Sequence, residues 1–167
     1  METQTFSSSP YAGVGKAILI AGFIAGTLDI STAMIVYHLP AEPMGRHIAS
    51  GAVGREAAQA GGLGMVVLGF FFHYVIAYTW TTLFFLLYPK VSILQRNKYV
   101  VGLLYGIVVW VVMNRVVLPM TMIQRASTFS WSAAVLGAVI LMVMIGLPVS
   151  LLANRFYSRK QAASAMS

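Results

Sequence analysis

Residues 62–89 read GLGMVVLGFFFHYVIAYTWTTLFFLLYP, a long apolar run closed by a proline. About 20 apolar residues cross the hydrocarbon core of a bilayer as a helix. A strand of a membrane barrel instead alternates polarity over about 10 residues. Neither 65–72 nor the later stretch 138–145 alternates; both are continuously apolar. The chain therefore reads as an all-α integral membrane protein.

Three further runs share this character, giving spans at about 14–39, 62–88, 99–118 and 131–153. Pro40, Pro89 and Pro119 stand at three of the exits, where a proline ring blocks continuation of the helical ladder. A polar tail over 1–13 precedes the first span, and a second tail over 158–167 follows the membrane domain of 14–157. The first run exceeds the apolar part of a secretory signal, so a retained helix is expected. Of 167 residues, 59% are hydrophobic and only 9% charged, against about 25% charged in soluble domains. The mean hydropathy is +0.81. The lipid bilayer is thus the first partner implied.

The excess of 11 basic over 4 acidic residues does not imply nucleic acid. Basic residues stand at the ends of apolar runs and form no phosphate-binding stripe. Absence of cysteine removes disulfides, thiolate metal sites and cysteine nucleophiles. Four spans put both termini on one side, together with Lys16, Lys90, Arg96, Lys98, Arg155, Arg159 and Lys160. The other side holds Arg46, Arg55 and Arg125, with Arg115 near its surface. The bias places both termini in the cytoplasm.

The longest outer loop, 40–61, carries Ile48, Ala49, Ala52, Val53, Ala57 and Ala60 on one helical face. It reads either as a short interfacial helix or as a cap over the bundle mouth. The two halves of the chain echo one another. Gly22-x-x-x-Gly26 leads to Leu39-Pro40, and Gly102-x-x-x-Gly106 leads to Leu118-Pro119. A duplicated helical hairpin would give this pattern, as would chance. The four glycines are candidate helix-packing positions.

Asp29 is the most informative residue, because an acid at that depth costs about 2.5–3.5 kcal/mol on insertion scales. It is either a polar lock between helices or a proton- or ligand-binding group. At about 1.5 Å per residue, Asp29, His73 and the Asn114-Arg115 pair fall near one depth on three spans. Arg115 could pair with Asp29 or snorkel to the interface. His38 and His73 differ by roughly 13 Å in depth, which rules out a shared haem iron. His38, His47 and Glu42 have no recognisable zinc spacing. No metal or cofactor is expected. Tyr11, Tyr88, Tyr99, Trp131 and Tyr157 suit an aromatic belt, whereas Tyr78, Trp80 and Trp110 suit internal packing. The ten methionines read as filler.

From His73 onward, the aromatic exit Tyr88-Pro89-Lys90 and a helix from Gly102-Leu103-Leu104-x-Gly106 to Leu118-Pro119 follow. Over about 61–120 the chain resembles the YagU-like small bacterial inner-membrane proteins, which have no assigned activity. That resemblance implies a bacterial inner membrane and, through a link to acid tolerance, a proton-related role. It transfers no catalytic residue. The segment joining the first two spans is shorter here, and the surroundings of Asp29 do not match.

Without a Ser/His/Asp set, phosphate loop or carboxylate pair, an enzyme is not expected. The reading is a non-enzymatic protein that binds a proton or small ligand or assists a larger complex. Its rival is a small transporter or channel acting as a homo-oligomer, with a haem carrier or membrane enzyme third.

Overall fold

A few residues set the limits of each helix in the computed structural model, which describes residues 13–123 and 130–165. The expectations for Tyr11 and Arg125, and for most of the first tail, lie outside the described residues. Helix α1 (Val14–Val36) starts after Gly13 at φ 78 and ends before His38 at φ 50. A left-handed residue cannot continue a right-handed helix, so the first span stops short of position 39. Helix α4 (Gly62–Leu87) follows α2 (Ala41–Val53) and α3 (Arg55–Ala60). Asn97 caps α5 (Lys98–Val112) by accepting from the backbone N–H groups of Tyr99 and Val100 at 3.0 and 3.2 Å. Ser130 caps α6 (Trp131–Leu141), which runs into α7 (Leu147–Ala165).

Two π-helical segments interrupt the later spans, Met113–Val117 after α5 and Met142–Gly146 between α6 and α7. Each ends two residues before a proline, Pro119 and Pro148. A proline ring collides with the carbonyl four residues earlier. That carbonyl belongs to Arg115 in one case and Met144 in the other, the middle of each π segment. Widening the turn there lets the helix pass the proline without breaking. The third span consequently extends to Met120 and the fourth to Ala163, 33 residues long. Residues 158–165, expected as a tail, are helical; RKQAASA is composed largely of helix formers.

Four helices are long and apolar enough to cross a bilayer, and no strand occurs among the described residues. The chain is a multi-pass, all-helical membrane protein. Leu63, Val67, Phe71 and Val75 form an outward stripe along α4, and Val100, Leu104, Val108 and Val111 another along α5. Such apolar faces would be unstable in water and suit lipid.

Helix α1 packs against both α4 and the last span, and α5 packs on that last span as well. Side chains bridge α4 and α5: the Tyr105 hydroxyl donates to the Trp80 carbonyl at 2.6 Å, and the ring meets Phe84 at 4.7 Å. Where the termini gather, Phe84, Phe85, Val149, Ala153 and Tyr157 close a solid core with Ala21 and Ala25. Tyr88 and Tyr157, expected at an interface, are buried there and stacked at 5.1 Å. Their hydroxyls are satisfied by Asn154 and the Phe85 carbonyl, each at 2.8 Å.

The segment over 40–61 is two helices rather than one, broken at Gly54 with φ 83. Arg46 joins them, pairing with Glu42 at 2.9 Å and donating to the Gln59 carbonyl. Helix α2 lies directly on α4, with Gly45 against Val66 and Gly69. A Cβ on Gly69 would strike the Gly45 carbonyl, whereas one on Gly64 would meet nothing. Overpacking a tight contact costs about 1–3 kcal/mol. Gly69→Ala should therefore lower the thermal midpoint in detergent, and Gly64→Ala should leave it unchanged or raise it slightly. Equal midpoints would show that α2 does not rest on α4 in this way.

Candidate functional site

Near the termini, glycines let the third and fourth spans touch backbone to backbone. Gly102 lies against Gly146, and Gly106 against Met142. One turn beyond Gly106, Trp110 sets its indole over Gly137. A large ring on a glycine props the helices where the smaller residues had drawn them together. The half of the bundle under α2 consequently holds a cavity of about 1060 Å³.

Asp29 from α1, His73 from α4, and Asn114 and Arg115 from the π segment after α5 all line this one cavity. His47 of α2 joins them from the roof, along with Ile48 and Gly51. Its floor includes Val109 and Ile145, and Ile145 also belongs to the solid core. Away from the termini its lining reaches Thr121, Ile123 and Ser130, and the packed half lies beyond its floor.

His73 is fixed by α1. Its Nε2 lies 2.8 Å from the Gly26 carbonyl, and a carbonyl can only accept, so Nε2 carries a proton. A neutral His73 then presents a bare Nδ1. Next to it, the Tyr74 and Thr27 hydroxyls are 2.8 Å apart, and the Tyr78 hydroxyl donates to the Leu19 carbonyl at 3.1 Å. The rings of Tyr74 and Tyr78 lie over Gly26 and Gly22. Asp29 follows Gly26 by three residues, so the imidazole is held beside the turn that carries the carboxylate.

Asp29 makes no hydrogen bond or ion pair with another described residue. Arg115 is exposed and does not pair with it. The Asn114 side chain donates to the Trp110 carbonyl at 2.9 Å, taking an acceptor in the last turn of α5. Gly22 and Gly26 face α4, and Gly102 and Gly106 face the fourth span, so both glycine pairs serve packing within the chain.

Sequence reasoning left a cap over the bundle mouth as one of two readings of 40–61 and missed the aromatic lining. Trp80, Trp110 and Trp131 are the only tryptophans in the chain, and all three line the cavity. Nothing in their local sequence marks them as a group. His47 entered only as a metal ligand; no three His, Cys, Asp or Glu side chains converge among the described residues.

Because the chain has no cysteine, single thiols can map the opening. In nanodiscs, Ala33→Cys and Ala134→Cys, which line the cavity, should react with a water-soluble maleimide. Ala25→Cys and Ala153→Cys, at fully buried positions, should not. Equal labelling at all four would refute the one-sided cavity.

No family model matches the chain, and neither a curated protein nor a solved structure shows significant similarity to it.

Proposed function

We propose that the protein is a non-enzymatic membrane protein that binds a proton or a small ligand in the cavity beneath α2. The observation that carries this reading is the convergence of Asp29, His73, Asn114 and Arg115, from three spans, on one space of about 1060 Å³. An intramembrane acid normally faces protein or a water-filled cavity and marks a binding or proton site. Trp80, Trp110 and Phe72 supply apolar walls, as in sites where a few polar groups orient a mainly apolar ligand. In a larger assembly, the same cavity would let the protein assist a partner by holding that ligand.

The setting belongs to the same proposal. Lys16, Arg155 and Arg159 support a cytoplasmic terminal end, and the YagU-like resemblance supports a bacterial inner membrane. The cavity then faces the outside, with amphipathic α2 at the interface as its roof. Descent from a duplicated hairpin is supported by the glycines: each Gly-x-x-x-Gly pair packs its span on the next one.

An oligomeric transporter or channel is the rival. The two π segments favour it, because such turns are where helices re-register. The packed terminal half argues against a conduit through one copy.

Since all three tryptophans line the cavity, intrinsic emission reports on the site. The emission of the parent should change on acidification, and both Asp29→Asn and His73→Ala should flatten that response with helical content unchanged. Liposomes loaded with a pH dye should show no proton leak above protein-free vesicles. If the parent is silent to pH and both variants simply unfold, the polar level is a structural lock. A leak abolished by Asp29→Asn would favour the transport reading.

A further inference from the structure

At the other end of the molecule, α1 and α7 enclose a second groove of about 470 Å³. Its apolar side is Ala17, Ile20, Leu152 and Phe156; its polar side is Arg155, Arg159 and Lys160. Arg155 and Arg159 are four residues apart and share a helix face. Phe156 is held at the base by ring contacts with Tyr157 at 5.0 Å and Phe85 at 6.3 Å.

Among the described residues the charge lining the groove is of one sign. The chain has four acidic residues. Asp29 lies in the cavity, Glu42 and Glu56 lie on α2 and α3 at the far end, and Glu2 falls outside the described residues. Neither Arg155 nor Arg159 has a carboxylate partner among the described residues. The apolar side of the groove also continues outward. Ile20 is 49% exposed and Ile24, one turn further into the span, is 38% exposed. A pair of guanidinium groups on α7 thus sits across the groove from α1, whose outward apolar face leads toward the middle of the span.

Guanidinium forks match phosphate oxygens, and basic pockets between spans hold anionic head groups. A free phosphate would gain nothing from the isoleucine track, whereas a lipid uses both parts. We propose that this groove binds an anionic phospholipid, with its phosphodiester between Arg155 and Arg159, Lys160 alongside, and one acyl chain laid over Ile20 and Ile24. The site is separate from the cavity and does not depend on how that cavity is used.

The test uses the full chain, delipidated in detergent and titrated with phosphatidylglycerol, phosphatidylcholine or inorganic phosphate. Retention is read by native mass spectrometry and thermal stabilisation by melting. Phosphatidylglycerol should be retained over phosphatidylcholine. Loss of each arginine should reduce that preference about 5-fold, and loss of both about 25-fold. Arg155→Gln with Arg159→Gln is the main variant; both side chains are exposed. The charge-keeping pair Arg155→Lys with Arg159→Lys should lose less. Lys90→Gln, an exposed charge outside the groove, should leave the preference intact. An unchanged preference in the double glutamine variant would overturn the proposal, as would an equal loss in Lys90→Gln. Stabilisation by inorganic phosphate matching that by the lipid would reduce the groove to a bare anion site and overturn it too.

Discussion

Close approach of helix backbones at glycine is the constraint on which the rest of this structure depends. In lipid, apolar helices gain little from hiding side chains from water, so association rests on van der Waals packing and hydrogen bonds. Gly45 on Gly69, Gly102 on Gly146 and Gly106 on Met142 are contacts that no larger residue permits. The same logic explains why aromatic rings, rather than backbones, cover Gly22 and Gly26. Flat rings of Tyr74 and Tyr78 bring wide contact areas, and their hydroxyls then reach Thr27 and the Leu19 carbonyl.

Packing this tight at one end leaves little freedom at the other. Beyond Gly106 the interface changes from small residues to Trp110, and the gap that follows is where the polar side chains sit. Among them, His73 spends its Nε2 proton on Gly26, and Asn114 covers the Trp110 carbonyl. Each bond ties a polar side chain to a backbone carbonyl of a spanning helix and holds that side chain in place. The Asp29 carboxylate has no such bond to the described residues, and it is therefore the group best placed to meet something from outside.

The spans were legible because 62–89 and its counterparts are too long and too uniformly apolar to be anything else. Their ends were less so. His38 ended α1 early through its backbone conformation, which no composition rule flags, and the helix-forming residues after Arg159 carried α7 past the expected stop. Pro119 was visible as an exit signal, but the π segment that accommodates it was not, and Pro148 lies inside a run that continues helically. Depth could be counted along the chain, which is why Asp29, His73 and Asn114 could be set at one level. Facing could not be read. In α1, α4 and α6 the few polar residues do not gather on one face, so no stripe marks the side that turns inward. For the same reason the tryptophans gave no sign of meeting. Amphipathic α2 does have a marked face, yet the break at Gly54 and the seat on Gly69 depend on backbone geometry.

A cavity closed at one end also shapes the electric field. When such a protein crosses a membrane, a potential difference falls mainly over the part from which water is excluded. Here that part is the layer built by Phe84, Phe85, Tyr88, Val149 and Tyr157. Asp29 and His73 lie beyond this layer from the termini, so with water filling the cavity a charge there would traverse only a small share of the voltage. Occupancy of the cavity would then follow the composition of the solution it faces and be nearly indifferent to whether the membrane is energised.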